Sequence, residues 1–201
     1  MICASEQAII VDNEVYNDVK EEFLAHNAYI VSSKAELAKL QAAVMLPDGH
    51  AVNPKIVGFS AKYIAELAGI KVPEETKLLI AEIAGVGADF PLSREKLSPV
   101  LAMVKANSTE EGLDLCEAML DLGGLGHTAV IHTEDEDLQI QFGIRMKACR
   151  ILVNTPAAEG GIGNIYNEML PSLTLGCGSY GHNSVSHNVS AVDLINVKTL
   201  A

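Results

Sequence analysis

Apolar positions along the chain fall into two alternating patterns. The run AIIVD at 8–12 is short and rich in β-branched residues, which predicts a buried strand. Asp12 or Asn13 is placed to cap a helix over 14–27, with apolar positions at Val15, Val19, Phe23 and Leu24. A short strand-like link is expected at 28–31. Ser33, with Glu36 three residues on, reads as a capping box ahead of Leu37, Leu40 and Val44. Pro47-Asp48-Gly49 breaks the chain, 54–58 is expected to be extended, and 60–67 to be helical up to Gly69.

The same alternation continues. KLLIAEI at 77–83 is the strongest buried strand of the first half, 84–96 is a loop rich in Gly, Asp and Pro, and 99–106 is a strand. A helix over 108–122 opens with Glu110 and Glu111 at its positive end and leaves through Gly123, Gly124 and Gly126. A strand at 128–133, a helix at 135–146 and a strand at 149–154 follow. This spacing predicts an α/β fold, a mostly parallel layered sheet with flanking helices. Beyond Thr155 the regularity stops: six glycines mark a long loop region. The polar segment 183–201, with period-two hints at Val185, Val189 and Val192, is expected to be an edge strand or an arm.

Charge removes several function classes. Fourteen Lys and Arg against twenty-six Asp and Glu give −12, which disfavours nucleic acid and acidic membrane surfaces. An apolar content of 49% over 201 residues argues for a folded core rather than disorder. No run reaches the length of a membrane span, and the opening MICASEQ lacks the basic and apolar parts of a signal peptide. The four cysteines show neither a CxxC pair nor a metal spacing, and are read as reduced thiols of a cytoplasmic protein.

Three residues carry candidate chemistry, and each has a plainer reading. Cys3 is either a thiolate nucleophile or a small buried hydrophobe. Glu95, just ahead of an apolar strand, is either an acceptor for ribose hydroxyls or a solvated loop charge. His127, brought to a strand entrance by GGLG, is either a general acid or base or a satisfied core histidine. The glycines at 160–163 lack the strand, helix and lysine of a phosphate loop. His132, His182 and His187 do not make a zinc set with the cysteines, so no metal is expected.

Read together, ICASEQ (2–7), EKLSPVLAM (95–103), GGLGHTAVIHT (123–133), RILVNTPA (150–157) and PSLTLGCGSYGHNSVSHNV (171–189) resemble the CoA-acylating aldehyde dehydrogenases. They resemble in particular the aldehyde dehydrogenase half of the bifunctional aldehyde–alcohol dehydrogenases. The resemblance implies a catalytic domain over 1–183 and a C-terminal oligomerisation arm over 184–201, with the dinucleotide-binding domain lying upstream. It implies NAD and coenzyme A as cofactors and a small aldehyde, acetaldehyde foremost, as substrate. Cys3 inherits the nucleophile's role and His127 that of proton transfer. Glu95 inherits the nicotinamide ribose, with Leu97 beside it where hydrolytic members carry Phe. Thr155, Pro156, Leu173, Thr174 and Leu175 inherit positions on the substrate side. The stretch by itself is expected to be folded but inactive, and the full enzyme to be a homo-oligomer. An assembly module that has lost its catalysis is the alternative.

Overall fold

Six of the seven residues of VLAMVKA at 100–106 are buried, the signature of a strand enclosed on both faces. In the computed structural model, which describes residues 1–165 and 167–200, this run is the centre of a four-stranded parallel sheet. The chain divides into two compact units, Met1–Gly123 and Gly124–Ala201.

The first unit contains β1 (Ala8–Asp12), α1 (Tyr16–Ala25), β2 (Ala28–Val31), α2 (Lys34–Val44), α3 (Ala61–Ala68), β3 (Leu78–Ile83), β4 (Val100–Ala106) and α4 (Thr109–Gly123). The strand order is β1-β4-β3-β2. Alternation along β3 and β4 sends successive side chains to opposite faces. Leu79, Ala81 and Val100 pack with Leu40, Val44 and Ile64 from α2 and α3. Ile80, Leu101 and Met103 pack with Tyr16, Val19 and Phe23 from α1. The predicted layers are therefore present, with helices over both faces.

Local details depart from the sequence pattern in instructive ways. Of the four expected positions Val19 and Phe23 pack against the core, joined by buried Tyr16, while Val15 and Leu24 are 47% and 53% exposed. Asp12 does not cap α1; its Oδ1 accepts the Glu14 N–H at 2.9 Å and turns the chain before the helix starts. The Ser33 hydroxyl oxygen accepts the Glu36 N–H, but Glu36 takes the Ser33 O–H rather than its backbone N–H, so the box is half formed. Residues 54–56 are a 3-10 turn, not extended chain, because Asn53 accepts the Lys55 N–H and Ile56 turns into the core. Gly69, at φ 65°, ends α3 in the left-handed region as expected of glycine there.

The second unit pairs β5 (Gly126–Ile131) with β6 (Ala148–Val153) in parallel, joined by α5 (Glu136–Arg145), whose N-terminus is capped by Asp135. After a single turn of helix, α6 (Ala157–Gly160), the chain makes 3-10 turns at Ser179–Gly181 and Ala191–Leu194 and one antiparallel bridge between Leu175 and Asn188. Among the described residues, 184–200 form no strand of the kind the period-two hints predict. Asn188 is 3% exposed and its amide bridges the carbonyls of Gly161 and Leu170, so this stretch is held by polar links. Ala201 lies outside the described residues. Among the described residues no helix is long and apolar enough to cross a membrane.

Because β1 and β4 are neighbours and parallel, the segments that lead into them arrive at the same end of the sheet. Those segments carry Cys3 and Glu95.

Candidate active site

Cys3 occupies the second position of a β-turn closed by the Ser5 N–H and the Ile2 carbonyl at 2.9 Å. The Ser5 hydroxyl oxygen accepts the Ile2 N–H at 3.1 Å and locks the same four residues from the other side. Ala4 is buried and anchors the turn, while Cys3 is exposed, contrary to the buried-hydrophobe reading of a lone cysteine. The Cys3 N–H takes no protein acceptor among the described residues. The turn thus presents a thiol and a backbone donor together, the pair that thiol addition to a carbonyl needs.

Gln7 connects this turn to the loop ahead of β4. Its Nε2 donates to the Ser5 carbonyl at 3.1 Å. Its Oε1 accepts the N–H groups of Lys96 at 2.8 Å and Leu97 at 3.1 Å. Lys96 is fully buried, and its ammonium donates to the carbonyls of Gln7, Leu92 and Arg94 at 3.0, 2.9 and 2.6 Å. Burial pulls its pKa down to about 7, against the opposing charge of Glu95. Leu97 adopts a left-handed backbone, φ 43°, where the Cβ of an L-residue crowds the neighbouring carbonyl. Glu95, between Arg94 and the buried lysine, is exposed. Its acceptor-only carboxylate, standing in solvent on a braced loop, suits hydroxyl donors such as those of a ribose.

In the second unit His127 is half-buried near the start of β5. Its Nδ1 lies 2.9 Å from the Thr128 hydroxyl. Arg150 on β6, 2% exposed, donates from Nε to the same hydroxyl at 3.1 Å and from Nη2 to the His127 carbonyl at 2.8 Å. Burial, and then the Arg150 charge, hold the His127 pKa below its usual value, so the neutral base persists into mildly acidic solution. Gly126, at φ 98°, lets this strand entrance form: a Cβ there would stand 2.2 Å from the Cys177 carbonyl oxygen.

Thr155 is half-buried, its hydroxyl donating to the Val153 carbonyl at 3.1 Å, and Pro156 is exposed ahead of α6. Leu173 is 77% exposed, Thr174 is exposed and Leu175 is half-buried in its bridge to Asn188. Leu173 lines an open depression of about 330 Å³ with Ile162, Ile165 and Pro171. Among the described residues no three His, Cys, Asp or Glu side chains converge as metal ligands would.

Cys3 and the Glu95–Leu97 loop are therefore linked by the fold of the first unit; His127, Thr155, Pro156 and 173–175 belong to the second. Sequence reasoning missed Gln7, Lys96, Arg150 and Asn188. Gln7 and Lys96 sit inside the ICASEQ and EKLSP strings, but nothing in a local pattern announces that they bond across 89 residues.

A comparison with protein-family profiles finds no match. Curated relatives do match along the chain. Aldehyde-alcohol dehydrogenase 2 of Entamoeba histolytica is 49% identical over 207 residues, covering 100% of this chain and 24% of the relative. The bifunctional aldehyde-alcohol dehydrogenase of Escherichia coli is 48% identical over 205 residues, covering 100% of this chain and 23% of the relative. Among solved structures, an acetylating aldehyde dehydrogenase from Geobacillus thermoglucosidasius superposes with a TM-score of 0.90 at 41% identity, covering 100% of this chain and 45% of that one. The chain thus spans about a quarter of the length of the curated relatives it matches. With identity this high along its whole length and the fold shared, the chain belongs to the acetylating aldehyde dehydrogenase family, as part of the aldehyde dehydrogenase portion of the bifunctional aldehyde-alcohol dehydrogenases.

Proposed function

We propose that this chain carries the nucleophile-bearing portion of an NAD-dependent, CoA-acylating aldehyde dehydrogenase. It interconverts a short aldehyde, acetaldehyde foremost, and acyl-CoA through a thioester on Cys3. The observation that carries this reading is the exposed Cys3 turn with its unengaged N–H, tied through Gln7 to the loop that bears Glu95.

The chemistry follows from the residues. The Cys3 thiolate adds to the aldehyde carbon, and the carbonyl electron pair moves onto oxygen, where the Cys3 N–H donates to it. Collapse of that oxyanion restores the carbonyl as the hydrogen on carbon departs with its bonding pair, leaving a thioester on Cys3. A bound nicotinamide supplies the acceptor for that hydride. Glu95 would hold the nicotinamide ribose by accepting its hydroxyls, with Leu97 beside it. In the second half, His127 takes the proton of the incoming thiol of coenzyme A, and Cys3 leaves as thiolate when that thiol captures the acyl group. The same steps run backwards reduce acyl-CoA to aldehyde.

Thr155, Pro156 and Leu173–Leu175 are assigned to the substrate side; the open apolar depression beside Leu173 supports a small aldehyde. Residues 1–183 carry this machinery, and 184–201 serve as an arm toward a second copy. Exposed Val192, Leu194, Ile195 and Val197 in that segment support such a role. The enzyme is assigned to the cytoplasm.

The test is NADH formation from acetaldehyde and CoA by the full natural protein that contains this chain, with Cys3→Ala as control. CoA-dependent NADH that vanishes in the variant supports the reading. Activity that survives Cys3→Ala refutes it.

A further inference from the structure

We infer that Gln7 and Lys96 form a positioning clamp that fixes the Cys3 turn against the Glu95 loop. The clamp acts through those two residues and touches no substrate; the inference rests on the roles proposed above for Cys3 and Glu95. Three observations carry it. First, one side chain spans the gap: Gln7 donates to the Ser5 carbonyl at the end of the Cys3 turn and accepts two N–H groups from the residues next to Glu95. Only a carboxamide of this length does both, since glutamate lacks the donor and asparagine is a methylene shorter. Second, the ammonium of Lys96 is matched one hydrogen to one carbonyl, on Gln7, Leu92 and Arg94. A fully buried lysine reaches neither solvent nor substrate, so its work is inside the fold. Third, the loop it holds is strained at Leu97, a conformation that persists only where neighbours over-determine it.

The mechanism asks for such a device. With a nicotinamide bound, Glu95 would hold its ribose while Cys3 holds the carbon that gives up its hydrogen, so the separation of the two residues would set their alignment. A misplacement of about 1 Å in such an arrangement can slow a step about 10²-fold. Thiol capture of the acyl group does not depend on Glu95 and should be spared.

The experiment uses the full natural protein and four readouts: the single-turnover NADH burst, the CoA dependence of deacylation, the iodoacetamide rate at Cys3, and hydrogen exchange at the Leu97 amide. Gln7→Glu is the decisive variant. It keeps the acceptor for the Lys96 and Leu97 N–H groups but loses the donor to Ser5. It is expected to fold, to keep the Leu97 amide protected within about threefold, and to slow the burst about tenfold or more. Its CoA dependence should stay within about twofold. Gln7→Met and Lys96→Met should each slow the burst, and the double variant should be no slower than the worse single, because both break one link. A burst in Gln7→Glu within twofold of the natural protein, or additive losses in the double variant, overturns the clamp. Should Lys96→Met fail to fold, Gln7→Glu alone decides. A natural protein that shows no burst, or a Cys3→Ala variant that keeps it, sinks the functional reading instead. The clamp is then judged by Gln7→Met: unchanged Leu97 exchange together with an unchanged Cys3 alkylation rate overturns it.

Discussion

Gln7 and Lys96 bond reciprocally across 89 residues: Gln7 Oε1 accepts the Lys96 N–H at 2.8 Å, and the Lys96 ammonium returns to the Gln7 carbonyl at 3.0 Å. The Gln7 carbonyl also accepts the Ala102 N–H at 3.1 Å, so the pair continues the β1–β4 hydrogen bonding beyond the end of β1. The Cys3 turn is in this way tied to the sheet rather than a loose end ahead of it.

Lys96 should leave a signature in the pH dependence of stability. Its folded pKa, about 7, lies below the ordinary lysine value near 10.5, so the unfolded chain binds more protons between these two values. Stability from this group therefore rises as pH climbs through that window, because the burden of a buried ammonium is relieved in the fold first. Urea unfolding of the natural protein and Lys96→Met at pH 7 and pH 9 should show the natural protein gaining about 2 kcal/mol on the variant. A pH-independent difference would mean that the amine titrates outside this window.

Cys3 is the exposed thiol, while Cys116, Cys149 and Cys177 are half-buried. Burial raises the Cys149 thiol further out of reach of alkylation. Limited iodoacetamide treatment followed by peptide mass analysis should find Cys3 modified first, with loss of acyl transfer tracking its modification. Modification elsewhere that abolishes activity while Cys3 is intact would assign the nucleophile to another residue.

Glu95→Gln should weaken the nicotinamide half of cofactor binding. Exchange of charge-assisted for neutral hydrogen bonds to ribose should remove about 1.5–3 kcal/mol, or roughly 10- to 100-fold in Kd. Because Glu95 is exposed, the unfolding midpoint should hardly move. Titration of NAD by calorimetry checks the first outcome, and unchanged affinity and rate would take Glu95 out of the site.

His127→Ala should slow deacylation by about 10²- to 10⁴-fold, and the defect should shrink toward pH 8.5, roughly where a thiol ionises unaided. Burial first and Arg150 second hold the His127 pKa low. The acid limb of deacylation should therefore fall below the usual histidine range, and Arg150→Gln should move it upward without reaching that range. The linked stability term falls as pH drops from the ordinary histidine value through the lowered one, since the fold resists the proton that the unfolded chain accepts. Stopped-flow pH profiles of the two proteins measure the shift; a limb that moves downward would contradict the cause assigned to Arg150.

Much of the fold was legible because burial imposes a local period. The AIIVD, KLLIAEI and VLAMVKA runs became strands, and Ser60, Asp135 and Gly69 bounded helices where their side chains and backbone predict. The departures arose where short polar bonds outvote that period, as at Asn53 ahead of Ile56, and in 184–200, where a few backbone bonds to 174–178 and the amide of Asn188 hold the chain without a regular strand. For the site, Cys3, Glu95 and His127 stood out through the strings around them. Gln7, Lys96 and Arg150 did not, since a hydrogen bond between distant segments leaves no trace in the spacing of either. A buried lysine is also the residue a hydropathy pattern is least able to place.

Among the described residues the strand order β1-β4-β3-β2 gives β1, the strand next to Cys3, one neighbour, β4, from late in the first unit. As the chain leaves the ribosome, α1, β2, α2, α3 and β3 all appear before β4 does. Until then β1 lacks its β4 partner, and Gln7 has no Lys96 to bond. Along the chain Cys3 thus precedes the strand that completes its surroundings. Its reactive geometry comes into being only once the hydrophobic layers on both sides of β4 have closed.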